Sequence, residues 1–94
     1  MHPLIERNRD QIKALAARYG IERVRVFGSM ARDDADADSD IDLLVALPEG
    51  ASGLALGGLL MDVEELTRRK VDVLTEAGLH PALRERILRE AEPL

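Results

Sequence analysis

The sequence has no cysteine and no tryptophan, and its only aromatic residues are Tyr19 and Phe27. Without thiols there is neither a disulfide framework nor a thiolate metal site, and a reducing compartment is permitted. Aromatics at 2% leave no stacking platform for single-stranded nucleic acid. Positive charge is also short, since 13 Lys and Arg against 18 Asp and Glu give a formal net charge of −5. Nucleic-acid binders normally show the opposite balance, so cations or a basic protein surface are the expected partners. No apolar run reaches the roughly 18 residues of a membrane span. The N-terminus turns charged at Glu6 and Arg7, where a signal peptide needs an apolar stretch. These absences describe a soluble, cytoplasmic protein with no direct nucleic-acid or membrane contact.

What is present is a chain of 94 residues that is 46% hydrophobic, enough for a single domain over residues 1–94 with one modest core of Leu, Ile, Val and Ala. Leu4, Ile5, Ile12, Leu15, Ala16 and Tyr19 recur at helical spacing between Pro3, which suits a first turn, and Gly20, which suits a stop. The period then changes. Val24 alternates with Arg23 and Arg25, which predicts a strand over 21–27 ending at Gly28, with Ser29 placed to cap a short helix through Arg32. Five aspartates among small residues make 33–40 a loop. Ile41–Leu47 is apolar enough for a central strand, and Pro48-Glu49-Gly50 stops it. Leu56, Leu59, Leu60, Val63 and Leu66 mark a helix over 54–69, loosened at its start by Gly53, Gly57 and Gly58. Val71–Leu74 reads as a third strand, and Pro81–Glu92 as a last helix with Leu83, Ile87, Leu88 and Ala91 inward. The expected fold class is α/β (α+β), a short mixed β-sheet with helices packed on it.

Chemistry concentrates in three places. Residues two apart on a strand point to one face about 6–7 Å apart, so Asp40 and Asp42 present their carboxylates side by side while Ile41 and Leu43 face the core. Two such charges repel unless a proton or cation relieves them, and carboxylates are hard oxygen ligands suited to Mg²⁺ or Mn²⁺. Asp72, flanked by Val71 and Val73, is unexpected on an apolar strand unless it faces a site. If its strand lies beside that of Asp42, three carboxylates converge and two metal ions are in reach. Gly28-Ser29 at a strand-to-helix turn supplies close backbone approach and helix-start amides for a triphosphate, with Arg32 one turn later.

Other readings of the acidic residues are weaker. Asp33, Asp34, Asp36 and Asp38 read as a solvated loop. An EF-hand loop fails at Ser39, where Gly is needed, and at Val45, where Glu is needed. His2 and His80 lack ligand spacing, and His80 before Pro81 reads as the start of a helix.

Gly28-Ser29-Met30-Ala31-Arg32, then Ser39-Asp40-Ile41-Asp42, then Val71-Asp72-Val73 together resemble the Gly-Ser, Asp-x-Asp and third-Asp motifs of DNA polymerase β-like nucleotidyltransferases. The Gly-Ser-x-Ala-Arg opening and the short length are similar to the MNT (minimal nucleotidyltransferase) antitoxins, which pair with HEPN-domain ribonuclease toxins. The resemblance implies Asp40, Asp42 and Asp72 as catalytic metal ligands, with Asp72 activating the acceptor hydroxyl. Gly28, Ser29 and Arg32 would contact the nucleotide, and ATP would be the substrate. The implied activity is Mg²⁺-dependent transfer of AMP to a hydroxyl, by resemblance a tyrosine, of a partner HEPN toxin. The chain lacks the Arg…His pattern of the nuclease itself. Asp33 departs from the pattern, because many family members carry Gly there. Two other functions are open at this stage: a non-catalytic antitoxin acting by occlusion, and a nucleotidyltransferase subunit acting on a small molecule.

Overall fold

The computed structural model describes every residue from Met1 to Leu94. Helix α1 (Pro3–Arg18) opens with His2, whose Nδ1 accepts the Leu4 N–H at 3.0 Å, and it buries Ile5, Ile12 and Ala16. Strand β1 (Arg23–Phe27) runs into the four-residue helix α2 (Ser29–Arg32). Strand β2 (Ile41–Ala46), helix α3 (Leu54–Thr67) and strand β3 (Val71–Thr75) then form a crossover unit in which β3 lies parallel to β2. A single 3₁₀ turn (Glu76–Gly78) leads to helix α4 (Pro81–Glu90) and a two-residue strand β4 (Glu92–Pro93).

The sheet order is β3-β2-β1-β4, with β1 antiparallel to both β2 and β4. Strand alternation divides its residues between two unequal faces. Val24, Val26, Ile41, Leu43, Val45, Val71 and Val73 join Ile5, Ile12 and Ala16 of α1 and Leu59 and Val63 of α3 in the main core. Each fully buried aliphatic side chain there contributes roughly 1.5–3 kcal/mol. The other face holds a smaller cluster, Phe27, Leu44 and Leu79, covered by Ile87, Leu88 and Ala91.

One close approach locks α1 to α3. A Cβ on Gly58 would lie 2.6–2.8 Å from the Tyr19 ring, so only glycine admits the ring. The Tyr19 hydroxyl donates to Asp62 Oδ2 at 2.6 Å and holds the ring there.

The structure trims β1 to start at Arg23, β2 to end at Ala46 and α3 to end at Thr67, and it corrects the sequence reading at further points. Ser29 does not cap α2: Gly28 occupies the cap position, with no side-chain hydrogen bond, and Ser29 is the first helical residue. Leu83 is 47% exposed rather than inward, because α4 covers only the small cluster. The last helix ends at Glu90, where Ala91 turns extended and Glu92, preceding a proline, is disfavoured in the helix. Glu92 and Pro93 instead pair with Val26 and Arg25 as an edge strand, a place where the missing proline N–H costs nothing. His80 does start a helix, its Nδ1 accepting the Ala82 N–H at 3.1 Å.

Candidate active site

Strand register sets the site. Asp42 lies opposite Phe27 at the end of β1 and opposite Asp72 on β3. Its neighbours Ile41 and Leu43 are fully buried in the main core, so its carboxylate emerges on the opposite face, together with that of Asp40. Asp40 and Asp42 are half-buried and Asp72 is exposed. Burial, and then the charges of Asp72 and Asp40, push the Asp42 carboxyl up to about 6, with Arg32 acting in the opposite direction. The three acidic groups share one end of the sheet, because β3 does lie beside β2, the condition on which Asp72 was expected to join Asp40 and Asp42. They converge in register and do not close into a ligand shell, since no three His, Cys, Asp or Glu side chains stand close enough to hold an ion. The donor set is all carboxylate, which fits Mg²⁺ or Mn²⁺, and the raised Asp42 carboxyl records negative charge that a cation would balance.

Gly28 faces this cluster for a definite reason. Its φ of 72° and ψ of −154° lie where side chains are strongly disfavoured, and a Cβ would overlap the Asp42 carboxylate. The Ala31 and Arg32 amides bond to the Gly28 carbonyl at 3.1 Å each, while those of Ser29 and Met30 find no acceptor within the chain. Ser29 lines the site and its amide remains available to an anion, whereas Met30 is fully buried.

A cavity of about 330 Å³ lies beside the turn, lined by Gly28, Ser29, Arg32 and Asp42 on one side and by α4 on the other. Four of the six expected site residues therefore meet in one hollow. Asp40 and Asp72 lie outside its lining, with Asp72 across from Asp42 on the neighbouring strand. Larger surface hollows of about 770 and 630 Å³ lie elsewhere, at the Arg23–Arg25 sheet edge and between α1 and α3, and neither touches the carboxylates. Sequence reasoning did not place Arg86 and Glu90 in the site. No sequence signal marks them, because only the packing of α4 beside the turn brings them to the cavity.

The acidic loop has its own organisation. Asp36 Oδ1 accepts the Asp38 N–H at 2.9 Å and the Ser39 hydroxyl at 3.1 Å, and Arg69 donates to the Asp36 and Ser39 carbonyls. Asp33, Asp34, Asp36 and Asp38 are exposed, in keeping with a solvated loop. Asp33 ends α2 in the left-handed conformation at φ 63°, a physical reason for glycine at this position, and its carboxylate meets solvent rather than the cavity.

A mixed four-stranded sheet with a glycine turn against paired carboxylates is the nucleotidyltransferase fold. The chain belongs to the nucleotidyltransferase domain family, whose model matches residues 9–94. It is 36% identical over 78 residues to protein adenylyltransferase MntA of Thermococcus cleftensis, covering 83% of this chain and 79% of that protein. It is 43% identical over 81 residues to a Methanocaldococcus jannaschii protein provisionally named a protein adenylyltransferase, covering 86% and 87%. A solved structure provisionally described as a minimal nucleotidyltransferase superposes with a TM-score of 0.85 at 48% identity, over 100% of this chain and 97% of that one. An MNT antitoxin in complex with tri-AMPylated HEPN toxin of Shewanella oneidensis shares the fold at a TM-score of 0.70 and 17% identity, over 94% and 69%.

Proposed function

We propose that this chain is a Mg²⁺-dependent protein adenylyltransferase that moves AMP from ATP to a hydroxyl, a tyrosine by family resemblance, of a partner HEPN ribonuclease and so neutralises it. The observation that carries the reading is one cavity lined by both the Gly28-Ser29 turn and Asp42, a carboxyl raised by burial and by Asp72 and Asp40. Relatives named for transfer to protein support a protein acceptor.

In this reading Asp40, Asp42 and Asp72 hold the metal, which when bound supplies charge neutralisation at the reacting phosphate. The Gly28-Ser29 turn binds phosphate oxygens through the Ser29 amide, and Arg32 adds positive charge. The acceptor oxygen forms a bond to the α-phosphorus as the bond from that phosphorus to the bridging oxygen breaks. Pyrophosphate leaves with the electron pair, and Asp72, the most exposed carboxylate, accepts the hydroxyl proton.

The test is the intact mass of the partner HEPN protein after incubation with this chain, ATP and Mg²⁺. The expected result is a gain of whole adenylyl units with wild type and none with a folded Asp42→Ala variant; equal gain with both refutes the assignment. A second reading, neutralisation by occlusion, draws on the net charge of −5 and the exposed acidic loop. Under it Asp42→Ala still protects, and charge reversals at Asp34, Asp36 and Asp38 do not.

A further inference from the structure

The cavity beside the Gly28-Ser29 turn has a second wall for which no sequence motif accounts. Leu83, Arg86, Ile87 and Glu90 of α4 close it across from Asp42. Glu90 organises this wall. Its Oε1 accepts from Arg32 Nη1 at 3.0 Å and from Arg86 Nε at 3.4 Å, and its side chain is only 19% exposed. Two guanidiniums therefore share one carboxylate oxygen at the edge of a single hollow, and they are the only cations that line it.

The two arginines are not equally engaged. Arg32 spends Nε on Asp34 and Nη1 on Glu90, which leaves only Nη2 without a partner. Arg86 uses Nε alone, loosely, and both of its terminal nitrogens are unpartnered on a side chain that is 64% exposed. A planar fork with free paired donors is the geometry that phosphate oxygens match. A triphosphate entering this cavity also adds negative charge beside Asp42, Asp40 and Asp72, and Arg86 is the one cation that the α4 wall offers to offset it. In the nucleotidyl-transfer reading the reacting phosphorus lies at Asp42, which puts the departing phosphates on the α4 side of the cavity.

We propose that α4 is the second half of the nucleotide site. Arg86 binds the β- and γ-phosphates of the nucleoside triphosphate, and Glu90 is a positioning residue that holds the Arg32 and Arg86 guanidiniums together. The inference rests on the nucleotidyl-transfer reading above. When the bond between the α-phosphorus and the bridging oxygen breaks, the leaving pyrophosphate takes the electron pair, and the Arg86 fork meets the charge that develops on it.

Calorimetric titration of the isolated chain, with no acceptor protein present, tests the proposal using MgATP, magnesium pyrophosphate and AMP as probes. Arg86→Ala weakens ATP and pyrophosphate about tenfold, the worth of a charge-assisted bidentate contact. AMP, which lacks the β- and γ-phosphates, changes by less than roughly twofold. Arg86→Lys restores only part of the loss, because an ammonium is a point charge without the fork. Glu90→Gln weakens ATP by a smaller factor while an unchanged unfolding midpoint shows the helix intact. An ATP affinity for Arg86→Ala within twofold of wild type, or an equal loss for ATP and AMP, overturns the proposal. Binding of ATP through Arg86 without any transfer to the HEPN protein removes the transfer reading alone. Intact transfer with ATP affinity indifferent to Arg86 removes this one alone.

Discussion

Asp42 stands in an environment that opposes its own charge, and replacing it with asparagine should stabilise the metal-free protein. Burial and the neighbouring Asp72 and Asp40 carboxylates raise its carboxyl from the ordinary 3.8 to about 6. A shift of that size corresponds to about 3 kcal/mol between the two protonation states. The carboxyl is half-buried rather than sealed, so water screens part of this and about 1–2 kcal/mol is expected. The sign follows from proton linkage. The folded pKa lies above the unfolded one, so between about pH 4 and pH 6 the folded protein binds more protons than the unfolded chain. Stability therefore falls as pH rises through that window and stays low above it.

Asp42→Asn removes the charge and keeps the shape. At pH 8 it should raise the unfolding midpoint by roughly 4–16 °C, using about 4–8 °C per kcal/mol for a domain of this size. At pH 4, where the wild-type carboxyl is already protonated, the gap should close. Thermal unfolding followed by circular dichroism at both pH values, in chelator, makes the measurement. Added Mg²⁺ at pH 8 should then stabilise wild type and leave the asparagine variant nearly unmoved. A variant less stable than wild type at pH 8, or a gap unchanged at pH 4, refutes the electrostatic account.

Neighbouring glycines on α3 should respond in opposite directions. A Cβ at Gly57 meets nothing within 4 Å, so Gly57→Ala should gain about 0.5–1 kcal/mol of helix propensity, whereas Gly58→Ala drives into the Tyr19 ring and should cost about 1–3 kcal/mol. Urea titration of the two variants separates them. Gly28→Ala should abolish nucleotide binding and destabilise by at least about 1–2 kcal/mol from backbone conformation alone. In an Asp42→Ala background the clash vanishes and only that backbone part remains, which a double-mutant cycle in urea reads out. Asp33→Gly should relieve the left-handed conformation at the end of α2 and gain about 0.5 kcal/mol, while Asp33→Val should cost more than the glycine gains. The same denaturation assay ranks the two.

The central elements were legible because their periodicities were unambiguous and their neighbours forced them. Ile41–Ala46 could hardly be anything but a buried strand, and once it was one, Asp40 and Asp42 had to share a face opposite Ile41 and Leu43. That Asp72 stands across from Asp42 could be stated only conditionally, since strand order is a property of the crossover through α3 and not of either strand. The α4 wall was not legible at all. Leu83, Ile87 and Leu88 read as an ordinary inward stripe, and only the tertiary placement of α4 beside the turn puts Arg86 and Glu90 in the cavity and leaves Leu83 exposed. Strand β4 was missed because two residues carry no period, and Pro93 argues against a central strand without arguing for an edge one.

The two sheet faces divide the work of the molecule. The face covered by α1 and α3 carries the main apolar cluster, and with it most of the stability. The other face carries the carboxylates, the glycine turn and the cavity, yet only Phe27, Leu44 and Leu79 are buried there, and no residue of α4 is fully buried. Helix α4 and the 3₁₀ turn before it are held in part by surface ion pairs: Arg32 to Glu90, Arg84 to Glu76, and Arg25 of β1 to Glu76. Exposed pairs of this kind contribute about 0–1 kcal/mol each, far less than the aliphatic residues of the opposite face. The helix that closes the cavity beside Gly28-Ser29 is thus held less firmly than β2 and β3, which carry Asp42 and Asp72 and are anchored by the main core. A site built this way sets its carboxylates on the firmly held side of the molecule and leaves the helix that carries Arg86 and Glu90 on the less firmly held one.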